Sequence, residues 1–98
     1  MSYHTSYYED VKAFHDKFGL EYDDVPRVLS PEELEFRRKF LVEELNEVLE
    51  ELKHGELAQL GGELADLIWI ACGIAHRMGL NLDLFWEEVK RANMSKER

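Results

Sequence analysis

Glu43-Glu44-Leu45-Asn46-Glu47 and, after residues 48–62, Glu63-Leu64-Ala65-Asp66 are the stretches that decide the reading of this chain. Glu44/Glu47 and Glu63/Asp66 each have i, i+3 spacing, so on a helix the two carboxylates of a pair share a face. Between the pairs lies Lys53-His54-Gly55-Glu56, a short break containing a glycine. That layout predicts two antiparallel helices that bring four carboxylates together. Four converging carboxylates repel one another unless cations sit among them. An all-oxygen, anionic set suits a hard cation such as Mg²⁺, with Mn²⁺ as a substitute.

Four helices account for nearly all of the 98 residues. No alternating β-branched run and no Asn-Gly hairpin signal is present, so the expected fold class is all-α, a four-helix bundle. The first helix is predicted over Tyr7 to Phe18, with Ser6-x-x-Glu9 as a capping box and Gly19 just past the end. Asp23-Asp24 and Pro26 then block continuation through residues 20–30. Ser30 as N-cap, Pro31 at N1 and Glu33 at N3 open the second helix, which runs to Lys53 or His54 and stops at Gly55. A third helix is predicted from Leu57 to Met78 before Gly79, and a fourth from the N-cap Asn81 to about Ser95. Gly61-Gly62 weakens the third helix by roughly 1 kcal/mol each relative to Ala and marks a place for close approach or a bend.

The apolar periodicity says where the carboxylates point. Leu34, Leu41, Leu45, Val48, Leu49 and Leu52 form one stripe on the second helix, with Glu44, Glu47 and Glu51 along its edge. On the third helix the stripe runs from Leu60 through Leu64, Leu67, Ile68, Ala71, Ile74 and Ala75 to Met78, with Glu63 and Asp66 at and just beyond its edge. Acids at the margin of a buried stripe are partly desolvated, which favours a metal site over a solvated face. Trp69 lies away from most of that stripe and is expected to fill a second interface, between subunits.

The run from Glu43 to Glu47 followed by Glu63 to Asp66 resembles the EExxE…ExxD signature of MazG-like, all-α nucleoside triphosphate pyrophosphohydrolases. Asn93-Met94-Ser95-Lys96 is similar to the short phosphate-contacting segment of phage-type and bacterial MazG-like proteins. Phe14-His15-x-x-Phe18-Gly19 resembles their first helix. The resemblance runs from about Val11 to Lys96. It implies a four-helix MazG-like bundle and Mg²⁺-dependent cleavage of a nucleoside triphosphate between the α and β phosphates. It also implies Glu44, Glu47, Glu63 and Asp66 as metal ligands. Glu43 is the neighbour placed to orient or deprotonate the attacking water. Asn93 and Lys96 offer an amide donor and a point charge to phosphate oxygens, or else compensate the helix dipole. His15, Phe18 and Tyr22 are candidates for a base pocket, although Phe18 reads more readily as core.

Composition narrows the alternatives. Ninety-eight residues make one domain, spanning 1–98, whose small core is expected to be completed by a homodimer or homotetramer. A net charge of −9 argues against nucleic acid or an anionic membrane as a partner. A nucleotide is not excluded, because a bound metal inverts the local field. The single Cys72 allows no internal disulfide and fits a reducing cytoplasm. No signal peptide opens the sequence, and the apolar stretch Leu67 to Ala75 is too short to span a bilayer. Glu51-x-x-His54 matches one Glu-x-x-His element of di-iron bundles, but no second element accompanies it. Two competing readings remain: a non-enzymatic acidic helical module, and an enzyme related to phosphoribosyl-ATP pyrophosphohydrolase.

Overall fold

The computed structural model of the chain describes residues 6–20 and 25–97. Four α-helices carry them, and there is no strand among the described residues: α1 (Tyr7–Phe18), α2 (Pro31–His54), α3 (Leu57–Arg77) and α4 (Leu82–Met94). Fold class and helix limits agree with the sequence reading to within a residue. The reason is local, because each end is set by its own cap. Ser6 Oγ accepts from the Glu9 amide, Ser30 Oγ from the Glu33 amide and Asn81 Oδ1 from the Asp83 amide. Gly55 takes the left-handed conformation, φ 69°, that closes α2.

α3 is the central helix. α2 folds back against it through the Gly55-Glu56 turn, so Glu33 near the start of α2 meets Arg77 at the end of α3. α1 packs on another face of α3, with Val11 fully buried. His76 is only 1% exposed. Its ring stacks on Tyr8 at 3.8 Å, and its Nε2 donates to the Tyr8 carbonyl at 2.6 Å. Burial pushes the His76 imidazole below its ordinary pKa, against the opposing pull of that hydrogen bond. Phe14 meets Trp69 edge-on at 5.2 Å. The α1–α2 connection crosses the end of α3, where Arg27 donates its amide to the Met78 carbonyl. Gly79 is required there: its φ is +68°, and a Cβ would collide with the Val25 carbonyl.

Several expectations about burial are corrected. Of the α2 stripe only Val48 is buried; Leu45, Leu49 and Leu52 remain exposed. On α3 the buried positions are Cys72, Ala75 and His76. Phe18, read as core, is 59% exposed and rests on Phe14. Trp69 is half covered by α1, so part of its face is used inside the protomer. Gly61 and Gly62 lie in an unbroken helix, and nothing stands within 4 Å of where their Cβ atoms would be. α4 buries no residue and is tethered at its start by Ser6 Oγ, which donates to Asp83 Oδ2 at 2.9 Å. The uninterrupted apolar stretch is short, but α3 as a whole, at 21 residues, is long and apolar enough to cross a membrane by length and composition. Tyr22, Asp23 and Asp24 lie outside the described residues.

Candidate metal centre

The antiparallel α2/α3 pair brings the two acidic motifs face to face. Glu44, Glu63 and Asp66 each offer a carboxylate oxygen, and the three oxygens lie within 4.8 Å of one another. Glu47 joins them from α2. Its carboxyl is pushed above the ordinary value by a hydrogen bond with Glu63, then by the charges of Glu44 and Glu63, with burial adding to these. The direction of the shift reports carboxylates that oppose one another's charged forms.

What surrounds the cluster matters as much as its members. Glu44 Oε2 and Glu63 Oε2 are buried without a hydrogen-bond partner. A buried carboxylate oxygen without a donor is costly. No Lys or Arg among the described residues pairs with Glu44, Glu47, Glu63 or Asp66. The one side-chain donor found is Gln59, whose Nε2 donates to Glu63 Oε1 at 3.1 Å. The donor set is anionic oxygen throughout, which fits Mg²⁺ or Mn²⁺ and is ill suited to a soft metal.

The other sequence candidates are scattered. Glu43 is exposed on α2, about 100° around the helix from Glu44. Asn93 and Lys96 are exposed and engaged with each other, Lys96 Nζ donating to Asn93 Oδ1 at 2.9 Å, while Asn93 Nδ2 donates to the Val89 carbonyl. α4 makes at most slight contact with the other helices, so this pair is not part of the carboxylate cluster in the protomer. His15 is half-buried, its ring 5.6 Å from that of His76. It stands beside Gly73, about two helical turns, ~10 Å, along α3 from Asp66. Phe18 is farther out on the exposed side of α1. The di-iron motif gains no support: His54 is exposed and lies 3.9 Å from Glu50, not from Glu51.

One feature of the hairpin escaped the sequence reading. Glu33, taken as a capping-box acid, instead accepts from Arg77 Nε at 2.8 Å and Arg77 NH2 at 2.9 Å, and from Arg37 NH2 at 3.3 Å. Partial burial alone would raise its pKa. The hydrogen bonds from Arg77 and Arg37, with the charges of both, outweigh that and hold it below the ordinary value. The signal for a long-range pair was faint: an acid in the first turn of one helix and a base in the last turn of the next.

An all-α chain with an acidic cluster between two antiparallel helices has the design of a nucleotide pyrophosphohydrolase. The family model for phosphoribosyl-ATP pyrophosphohydrolase matches residues 11–93, and the chain belongs to that family. This family is part of the MazG-like nucleotide pyrophosphohydrolase superfamily, so the phage-type and bacterial resemblance holds at the superfamily level. No curated protein matches the chain. The protein is thus a pyrophosphohydrolase, a hydrolase of acid anhydrides that acts on a nucleotide-like substrate.

Proposed function

We propose that this chain is a Mg²⁺-dependent hydrolase that releases pyrophosphate from the triphosphate of a nucleotide, leaving the monophosphate. The observation that carries the reading is the pair of buried, donorless oxygens on Glu44 and Glu63 beside Asp66 and Glu47. Glu44, Glu47, Glu63 and Asp66 would hold the metal. When bound there, Mg²⁺ supplies charge neutralisation for the phosphate oxygens and makes water more acidic. Glu43, the chain neighbour of Glu44 but turned about 100° from it, would accept the proton of the attacking water. The water oxygen bonds to the α phosphorus, and the bond from that phosphorus to the bridging oxygen breaks. The electron pair leaves with pyrophosphate. Asn93 and Lys96 lie apart from the cluster within one copy and would supply donors for phosphate oxygens only if α4 or a second copy brought them to it. His15 is the nearest candidate for a contact to the base or sugar, with Phe18 beyond it. The buried free thiol of Cys72 fits a reducing compartment such as the cytoplasm.

The family match favours phosphoribosyl-ATP as substrate, which is itself a triphosphate nucleotide. The EExxE…ExxD spacing favours a common nucleoside or deoxynucleoside triphosphate as the second reading. A single panel separates them: phosphoribosyl-ATP and the common NTPs and dNTPs, each with Mg²⁺ or Mn²⁺, with products resolved by anion exchange. The expected result is a monophosphate plus pyrophosphate from at least one substrate. Orthophosphate plus a diphosphate would overturn the chemistry, and no turnover with either metal would favour the acidic helical module.

A further inference from the structure

Two helices are fastened to α3 by different chemistry. The α2/α3 hairpin is closed by charge, Glu33 accepting from Arg77 and Arg37. Partial burial would raise the Glu33 carboxyl, but those hydrogen bonds and the charges of both arginines keep it ionised to below its ordinary value of 4.5. α1 is seated instead against a neutral ring. His76 of α3 is 1% exposed, and among the described residues it is the one polar side chain so deeply buried. Its ring lies 3.8 Å from that of Tyr8 and 14° from parallel, and its Nε2 donates to the Tyr8 carbonyl at 2.6 Å. A donating Nε2 already carries its hydrogen, so a further proton goes to Nδ1 and makes the ring a cation.

The surroundings disfavour that cation. From α1, the His15 ring stands 5.6 Å away and Lys12 adds positive charge, against the exposed acid Glu9. Asp10 of α1 and Asp83 of α4 act one turn back along α3, at Cys72, and Asp83 is held by Ser6. On α2, Glu33 is committed to its arginines. The α1–α2 connection brings Arg27, another base, to the Met78 carbonyl. An aromatic face attracts a cation, but by less than the cation loses on leaving water without a full counter-charge. Burial accordingly pushes the imidazole below its ordinary 6.5, the Tyr8 carbonyl and Glu9 pulling the other way, His15 and Lys12 adding to the fall. α1 depends on this seat. A 12-residue helix is marginal in water by itself, and Val11 is the one residue of α1 that is buried.

We propose that His76 is an acid-sensitive clasp: its neutral ring seats α1 on α3, and protonation lets α1 lift while the α2/α3 hairpin stays closed. In the lifted state the ring reaches water and takes its proton at the ordinary 6.5. The seat is therefore fully stabilised above 6.5 and weakens as pH falls from there towards the lower, seated value. Each pH unit in that window raises the lifted fraction by up to about tenfold. Glu33 keeps its charge throughout, so the hairpin does not follow. Lifting carries His15 and Phe18 away with α1 and leaves Glu44, Glu47, Glu63 and Asp66 together on α2 and α3.

Amide hydrogen exchange of the full chain, with intrinsic rates divided out, tests the clasp without nucleotide or metal and independently of the proposed activity. Between pH 7.5 and 5.0 the protection of α1 amides is expected to fall at least about tenfold in the wild type. Amides of α2 are expected to hold or to gain protection, because His54 is exposed and the carboxyl cluster repels less as pH falls. His76→Gln, which keeps a neutral donor for the Tyr8 carbonyl, is expected to flatten the α1 change to within about twofold. A wild-type α1 that holds its protection, α1 and α2 losing it together, or a His76→Gln chain with the full pH dependence would overturn the proposal. Because His76→Gln can also leave α1 unseated at every pH, the imidazole signals of the wild type give a second reading by NMR. His76 should remain in its Nε2–H form at pH 6.5 and take its second proton in step with the loss of α1 protection; a His76 half protonated at or above 6.5 overturns the clasp.

Discussion

At the open end of the α2/α3 hairpin, Glu33 faces the guanidinium groups of Arg77 and Arg37. Nearer the turn, Glu44 and Glu63 each bury an oxygen that faces none. The side chain is the same, the helices are the same, and the electrostatic setting is opposite. Glu33 is held below its ordinary pKa by its cations, and Glu47 is raised above it by its anionic neighbours. The first end is complete within the protein, so its role is to fasten one helix to the other. The second end leaves buried carboxylate oxygens without a donor, and that deficiency is what the proposed metal would make good.

The largest effect that sharpens this contrast comes from neutralising a ligand. Glu47→Gln or Asp66→Asn is expected to lower pyrophosphate release by on the order of 100-fold, the scale for removing one electrostatic contact to a transition state. Helical circular dichroism should be unchanged. In metal-free buffer the Glu47→Gln chain should melt at a higher temperature than wild type, because repulsion is relieved. Near-normal turnover in both variants at saturating Mg²⁺ would break the comparison.

An intermediate effect is expected from pH and from Arg77. A carboxyl held low stabilises the fold above its unfolded value of 4.5, and that contribution is lost as pH falls through the lower, folded value. A carboxyl held high acts oppositely: its contribution is present below 4.5 and is lost as pH rises through the raised value. Arg77→Met should therefore lower the melting temperature by a few degrees at neutral pH and leave Mg²⁺ affinity intact. Glu47→Gln should remove the metal-free decline on the rising side of pH. Melting curves from pH 3 to 8, with and without Mg²⁺, check both signs; a shared sign would mean that the two ends of the hairpin do not differ electrostatically.

The smallest effect is at Gln59, the single donor found on the cluster. Its bond to Glu63 is a surface i, i+4 contact, worth about 0.5 kcal/mol at most. Gln59→Ala should weaken Mg²⁺ binding by no more than about threefold, about 0.7 kcal/mol. Calorimetric titration with Mg²⁺ measures this, and a loss as large as that of Asp66→Asn would make Gln59 a partner of the metal site.

Much of the architecture could be read in the chain because its determinants are local. Ser30, Pro31 and Gly55 set the ends of α2 through hydrogen bonds and backbone angles within a few residues of themselves. The i, i+3 acids needed only the helical period and one glycine turn to be brought to a common place. Burial was a different matter. The stripe of Leu45, Leu49 and Leu52 announces an apolar face, but whether that face is covered depends on surface supplied from elsewhere, and in the protomer it is exposed.

The sequence by itself determined four capped helices and the juxtaposition of Glu44 and Glu47 with Glu63 and Asp66, because turn chemistry and helical periodicity act over a few residues. Tertiary structure alone decided which acids have cations and which do not. It alone joined Glu33 to Arg77 across 44 residues, left α4 without cover, and set Asn93 and Lys96 apart from the carboxylates within one copy. Charge pairing and burial depend on what arrives from distant parts of the chain, and no local pattern encodes that.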